Sequence, residues 1–469
     1  MVISTVADGI TRGVEAVGDA LGAPFGASTL RLGVTGLSRA GKTVFITSLV
    51  ANLMNRGRMP GLAAAARGAI SSAYLEPQPD DTLPRFDYET HLARLTAAQP
   101  SWPDGTRAIS ELRLSLRVQP SGLLAGLQGP RVLHLDIVDY PGEWLLDLGL
   151  MEQDFAGWSA RVLARMQARP EAAEYLRAVE GLDTAAPMSE AALKALSAGF
   201  TNYLEAARAA GFSDLTPGRF LLPGDLAGSP VLTFAPLPPA PGAPRGSLWS
   251  EAARRFEAYK RKVVTPFFRD HFARIDRQVV LVDVLGALEA GPAALDDLRE
   301  TMADVLAAFR PGRAAWLARL LGARRVERIL FAATRADALH HAQHPALTAL
   351  TGALLRSARD RAEFAGARTM ALSLAGLRTT VEVAAEGDRP DMVRGRLAET
   401  GRQAAFHPGT LPEDPAALLS AARTGADAWP GAGFRTVQFA PAPLTLREGE
   451  GPPHIRLDRA AEFLIGDRL

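Results

Sequence analysis

The sequence predicts an α/β protein with a mostly parallel sheet and helices on both faces. Three observations predict it. Apolar runs of strand length recur at residues 30–34, 132–138, 278–285, 328–333 and 368–374. Segments with apolar residues at three- and four-residue steps separate most of these runs, and strands alternating with helices imply a parallel sheet covered on both sides. The third observation is the loop Gly36-Leu37-Ser38-Arg39-Ala40-Gly41-Lys42-Thr43, placed between the first strand and the first helix. It fits G-x-x-x-x-G-K-[ST] in the strand–loop–helix setting that a phosphate-binding loop needs.

Composition narrows the function classes. The chain has 469 residues, enough for two or three domains, and 47% of them are hydrophobic. Lys+Arg is 52 against 51 Asp+Glu, a net charge of +1, so no global field draws the protein to nucleic acid or to an anionic membrane. The absence of cysteine excludes a disulfide framework, a thiolate metal site and a cysteine nucleophile, and it suits the cytosol. The N-terminus lacks a basic leader before a continuous apolar block, and no stretch reaches the roughly 18 apolar residues of a membrane span. The expectation is a soluble or at most peripheral protein.

In chain order, residues 1–28 read as an amphipathic helix. Ile3, Val6, Ile10, Val14, Val17 and Leu21 share its apolar face, and Asp8, Glu15 and Asp19 stand against Arg12 on the other. Docking on the protein's own core is the simplest role. A partner groove is the alternative, and the acidic face is wrong for anionic lipid. In the phosphate loop, Gly36 and Gly41 let the backbone curl, so that the N–H groups from Ser38 through Ala40 and Gly41 to Val44 turn toward phosphate oxygens. Lys42 supplies a point charge and Thr43 a hydroxyl for Mg²⁺. Arg39 either adds positive charge in cis or faces outward.

A long proline-containing connection over 55–105 follows, with a helical piece near 88–95, and long loops of this kind are often functional. It ends at Trp102-Pro103-Asp104-Gly105-Thr106. Trp102 reads as a core residue or as a cover over the ligand. An alternating strand at 109–118 pairs with the strand at 132–138 as a hairpin, across a turn at 122–129. The second strand ends in Asp139-Tyr140-Pro141-Gly142. A carboxylate at that strand tip suits Mg²⁺, and the Gly142 N–H can approach a terminal phosphate.

Residues 151–275 read as a helical insertion, with a proline-rich connector at 235–246 and a long, locally basic helix over 249–275 that Pro266 should kink. The alternating scheme resumes at 276. The strand at 328–333 runs into Thr334-Arg335-Ala336-Asp337. One carboxylate can accept from both the ring N–H and the exocyclic amine of guanine, and adenine cannot satisfy it. Asp337 therefore points to a guanine base with Arg335 stacked on its plane. An ordinary helix-capping role for Asp337 is the competing reading. The loop Ser373-Leu374-Ala375-Gly376 should meet the base through backbone N–H groups, with Ala375 its centre. His340, His341 and His344 could suggest a metal site, but no carboxylate or cysteine partner is evident, and a helix-surface cluster is the simpler reading. Residues 385–469 read as a Pro/Gly-rich tail wrapped on the core.

Taken together, the phosphate loop, the D-x-x-G at Asp139–Gly142 and T-R-A-D at Thr334–Asp337 resemble the Ras-like GTPases. The segments at 36–49, 102–114, 135–148, 216–225, 277–291, 331–337 and 453–469 resemble, more closely, the bacterial YcjX-like family of stress-associated P-loop proteins. The resemblance covers nearly the whole chain. It implies a Ras-like P-loop NTPase fold with a GTP-binding domain split into 29–150 and 276–384, a helical insertion at 151–275 and a C-terminal extension at 385–469. It also implies GTP/GDP and Mg²⁺ as ligands, a cytoplasmic or inner-membrane-peripheral location, and a protein effector at the membrane. Thr106 then falls where a mobile threonine reaches Mg²⁺ in the triphosphate state. Arg335 stands where the family has lysine.

Ras-like hydrolysis uses a glutamine just after D-x-x-G, and here that position is Glu143. A carboxylate beside a terminal phosphate is repelled unless it is protonated or turned away. The expectation is a slow GTPase acting through Lys42, Glu143 and Arg39. A nucleotide-holding scaffold is the alternative, and an ATPase is a more distant one.

Overall fold

The computed structural model describes residues 27–37, 40–105, 108–119, 129–307, 326–385, 390–425, 429, 431 and 433–469. The expected N-terminal helix, most of the 122–129 turn, Ser38, Arg39 and Thr106 lie outside them.

Seven strands form one sheet in the order β2-β3-β4-β1-β5-β6-β7. They are β1 (Ala27–Gly36), β2 (Ile70–Glu76), β3 (Ser110–Val118), β4 (Arg131–Asp139), β5 (Arg277–Val282), β6 (Arg328–Ala333) and β7 (Arg368–Ser373). β1 lies parallel between β4 and β5, and β5, β6 and β7 are parallel in turn. β3 is antiparallel to both β2 and β4, so the expected hairpin is present. β2 falls inside the stretch read as a connection. Its sequence ISSAYLE is only partly buried at the sheet edge, so it lacks the apolar run that betrays a central strand.

The central strands show why the sheet must be covered twice. Every residue of β5 is buried. Val280 and Val282 enter one core, and Val279 and Leu281 enter the other. In β6, Ile329, Phe331 and Ala333 go one way and Leu330 and Ala332 the other. This is the two-residue period of a strand applied to a continuous apolar run. The second core receives Phe45, Ile46 and Leu49 from the helix Lys42–Met54, together with Leu457, Ala460, Ala461 and Leu464 from the helix Leu457–Ile465. The first receives the helices Pro292–Ala307 and His344–Leu354.

That first core continues without a break into the helices of the 142–275 region. Its centre is aromatic. Trp158 stacks on Phe256 at a centroid distance of 5.0 Å, and Phe200, Phe220, Phe234 and Tyr259 close around them. Pro266 marks the expected irregularity. The helix Leu248–Tyr259 widens into a π turn at Lys260–Val264 before Thr265–Asp270, because proline offers no N–H to the carbonyl one turn back.

The C-terminal stretch read as a tail contains more order than expected. β9 (Met392–Leu397) pairs antiparallel with β8 (Thr380–Val383), β10 (Gln403–Phe406) and β11 (Phe439–Ala440). Strands of two to six residues carrying arginine, glycine and alanine give too little alternation to be seen in sequence.

One buried carboxyl links the sheet's edge to the helices. Asp147 accepts from the Gly218 N–H at 2.8 Å and from the Tyr259 hydroxyl. Burial pushes its carboxyl up to about 7, against the pull of those hydrogen bonds. The folded protein thus holds a proton that the unfolded chain releases near pH 4. This group makes stability fall as pH rises from about 4 to about 7, and its contribution is flat above that. The urea midpoint of Asp147→Asn, measured relative to the parent, should therefore rise across that window. A constant difference would show that Asp147 ionises normally.

Candidate functional site

The phosphate loop begins where β1 ends. At Gly36 the sheet order reverses, since the chain leaves β1 for β2–β4 on one side and later returns for β5–β7 on the other. The crevice outside the strand ends at such a reversal is where open α/β sheets bind ligands. Gly41 takes φ 72° and ψ 28°, a left-handed conformation that glycine adopts without penalty, and the helix Lys42–Met54 starts directly after it. The first N–H groups of that helix have no intrahelical acceptor, and its N-terminus lines the crevice with the positive end of the dipole.

Asp139 meets the loop from the tip of β4. The parallel pairing sets Val34 of β1 opposite Asp139, so the carboxylate is delivered to the foot of the loop by register alone. Lys42 Nζ lies 2.5 Å from Asp139 Oδ1, with both side chains buried. Thr43 Oγ1 donates to the carbonyl of Asp104 at 3.4 Å. This brings the segment before Thr106 against the loop.

Gly142 opens a short helix, Gly142–Leu146, pressed onto the loop. A Cβ there would sit 2.2 Å from the Gly36 carbonyl oxygen, so only glycine fits. Glu143 is 6% exposed. Burial pushes its carboxyl above the ordinary value, and the charges of Lys42 and Arg208 pull it part of the way back. From the other side the 216–225 segment clamps this stretch. A Cβ on Gly218 would lie 2.1 Å from the Glu143 carbonyl oxygen. The Arg219 guanidinium covers the Trp144 ring at 3.3 Å, and Trp144 Nε1–H donates to the Leu222 carbonyl at 3.2 Å.

At the far end lies Asp337, 9% exposed. Its Oδ2 accepts from the Thr379 N–H at 3.0 Å and from the Thr379 hydroxyl at 2.5 Å, and its carbonyl accepts from the Thr380 hydroxyl. Burial raises its carboxyl pKa, and the Thr379 bonds oppose that. Arg335 holds a left-handed φ of 61°, and its guanidinium lies 3.4 Å from both Asp283 Oδ2 and the Val437 carbonyl. Thr334 lines the same space, and its hydroxyl is buried without a hydrogen-bond partner among the described residues.

One cavity of about 1100 Å³ joins the two ends. Gly36, Ala40, Gly41, Lys42, Thr43 and Val44 line one side, and Thr334, Arg335, Asp337 and Ala375 line the other. Trp102 lies at its wall, 38% exposed, with its Nε1–H donating to the Phe439 carbonyl at 3.0 Å; it is not a core residue. Ala375 reaches the cavity too, but its N–H donates to the Ile455 carbonyl at 3.1 Å, so that donor is already engaged.

Three residues of the site were missed in sequence. Thr379 follows the expected base-contact loop and is what engages Asp337. Gly218 holds Glu143. Arg208, on the helix Glu190–Ala209, lines the cavity beside Glu143 and has no ion-pair partner among the described residues. The histidine reading also needs correction. His340 and His344 are buried, and His344 Nε2–H donates to the Ala336 carbonyl at 2.7 Å, bracing the T-R-A-D turn. His340 and His341 do have carboxylate neighbours, Glu382 and Asp391.

The residues present suit a nucleoside phosphate with a cation. The Gly36–Gly142 approach leaves no room for a side chain at the phosphate end, Thr334 offers an unspent hydroxyl, and the donor set of Thr43 and Asp139 is all oxygen, as Mg²⁺ prefers.

A family model described as the YcjX-like family, DUF463, matches residues 30–469. The chain is 37% identical over 462 residues to a protein of Escherichia coli (strain K12) named Ras-like GTPase YcjX, covering 94% of this chain and 96% of that one. It is 33% identical over 472 residues to a protein of the same name from Shewanella oneidensis, covering 94% of each.

Gly142→Ala should lower thermal stability by about 1–3 kcal/mol, since the added methyl must displace the backbone at Gly36. It should also abolish nucleotide-induced stabilisation in a thermal-shift measurement. An unchanged melting temperature would show that the two backbones are not in contact.

Proposed function

Because the chain belongs to the YcjX-like family, we propose that it is a guanine-nucleotide switch, a Mg²⁺-dependent GTPase with slow intrinsic turnover. The observation that carries this reading is the single cavity with Lys42 and Thr43 at one end and Asp337 at the other. Residues 29–150 and 276–384 form the two halves of the GTP-binding unit in this reading, with 151–275 inserted and 385–469 extending it.

Lys42 Nζ and the Asp139 carboxylate lie side by side at the foot of the phosphate loop. Lys42 would hold the β- and γ-phosphates, and Thr43 and Asp139, with Thr106 when the triphosphate is bound, would hold Mg²⁺. Mg²⁺ would neutralise charge on the β- and γ-phosphates. Gly142 directs its N–H at the γ-phosphate. Thr334, Arg335, Asp337 and the loop at Ala375 enclose the base, and Trp102 closes the open side.

Glu143 sets the rate. A protonated carboxyl offers a donor as well as an acceptor, the mixed pair a glutamine amide also presents, and can orient a water molecule. Ionised, it repels the γ-phosphate. Its raised pKa favours the useful form, so turnover should fall as pH rises through the Glu143 pKa. Arg208 faces the same region from the helical insertion and, with Arg39, supplies positive charge in cis.

Two conformations around the γ-phosphate would present different surfaces of 55–106 and 139–160 to a protein effector. A stress-related role, a cytoplasmic or inner-membrane-peripheral location and a membrane partner belong to the same proposal. No helix among the described residues is long and apolar enough to cross a membrane. The buried Glu143 also supports a second reading, a nucleotide-holding scaffold that hydrolyses nothing.

Phosphate release under single turnover separates these readings. The switch predicts release on the order of 10⁻² to 10⁻⁴ s⁻¹ with no partner, none with Lys42→Ala, and a loss of at least about 10-fold with Arg208→Ala. Glu143→Gln should remove that fall of turnover with pH. Turnover of many per second would overturn the slow-switch reading, and tight GTP binding without release would establish the scaffold.

A further inference from the structure

Three residues beyond Asp337 in the chain, two imidazoles converge on one carboxylate oxygen. Glu382 Oε2, on β8, lies 2.8 Å from His341 Nδ1 and 3.7 Å from His340 Nε2. All three donor atoms lie within 4.8 Å of one another. Ligands on a tetrahedral Zn²⁺ with bonds of 2.0–2.1 Å stand about 3.3 Å apart, which these separations bracket. His340 is buried, and the two rings lie 4.3 Å apart.

The surrounding contacts orient these donors. Glu382 Oε1 is occupied by the His341 N–H at 3.2 Å and by Arg378 Nη2 at 3.6 Å, which leaves Oε2 to face the histidines. Asp391 Oδ2 stands 3.5 Å from His340 Nδ1, on the opposite side of the ring from Glu382. That Nδ1 also accepts from the Ala342 N–H at 3.4 Å, a long bond that gives way when Nδ1–H donates to Asp391 and Nε2 turns its lone pair to the metal. Asp391 is itself fixed, since its Oδ1 accepts from the Ala385 N–H at 2.8 Å and its carbonyl from His407 Nδ1–H at 2.8 Å. A carboxylate behind a histidine, which presents its other nitrogen to a shared centre, is the layered arrangement of a metal site.

We propose that His340, His341 and Glu382 bind one divalent transition-metal ion of the Zn²⁺ type, with water as the fourth ligand and Asp391 as the residue that positions His340. Two imidazoles and one carboxylate select such an ion over Mg²⁺, which prefers oxygen alone. The site is separate from the nucleotide cavity and does not depend on its assignment. It clasps the same two segments that Thr379 and Asp337 join, since His340 follows Asp337 by three residues and Glu382 follows Thr379 by three.

The test titrates the metal-free full-length chain with Co²⁺, followed by its visible absorption, and then competes with Zn²⁺. The expected result is one equivalent bound with ligand-field bands, displaced by Zn²⁺ and untouched by excess Mg²⁺. Asp391→Asn should weaken binding about 10- to 100-fold. His340→Ala and Glu382→Gln should weaken it further, with far-UV circular dichroism retained. His341 is 67% exposed, so His341→Ala removes a ligand without disturbing the core. Absence of stoichiometric binding at micromolar metal would overturn the proposal. So would unchanged affinity in a folded His341→Ala chain.

Discussion

The ion pair between Lys42 and Asp139 is the contact on which the rest of the site depends. It is buried, 2.5 Å long, and joins the loop after β1 to the tip of β4. Removing one partner of such a pair costs about 3–5 kcal/mol, because the other charge is left desolvated. A protein does not keep that liability at the centre of its sheet for stability, since an apolar pair would serve as well. The arrangement makes sense if both charges are to be redistributed when a phosphate and a cation enter.

Around that pair, the geometry is set by backbone contacts that tolerate no side chain. Gly142 is pressed against Gly36, and Gly218 against Glu143. The D-x-x-G stretch is therefore held between the phosphate loop and the 216–225 segment. Trp144 under Arg219 and Asp147 under Gly218 extend the grip. One aromatic core runs from Tyr140 and Trp144, beside this stretch, into the helical block.

The parts of the site that could be read in sequence were those whose chemistry fixes a local spacing. The glycines, lysine and threonine of 36–43 sit in one turn, Asp139 and Gly142 are three residues apart, and Thr334–Asp337 is a single turn at a strand end. Contributions from distant chain segments were not legible. Arg208 is one arginine on a long amphipathic helix, and Gly218 is one glycine among many. Thr379 reaches Asp337 only because β8 folds back beside the turn after β6. The N–H of Ala375 looked available from its place in a loop, yet Ile455, eighty residues on, takes it. The main sheet was legible because its central strands are continuously apolar. β2 and β8–β11 were not, because short half-exposed strands carry little period. The histidines show the same limit, since their carboxylate neighbours lie about forty and fifty residues further on.

The central claim is that Asp337 reads a guanine base over a phosphate loop. Competition binding of GTP, GDP, ATP and xanthosine triphosphate to the parent and to Asp337→Asn tests it most directly. The account predicts that GTP and GDP displace each other and that ATP displaces neither. In Asp337→Asn, guanine nucleotides should bind about 10- to 100-fold more weakly, the cost of a lost buried hydrogen bond, while xanthosine triphosphate gains. ATP binding as well as GTP to the parent, or an Asp337→Asn chain with unaltered preference, would contradict it.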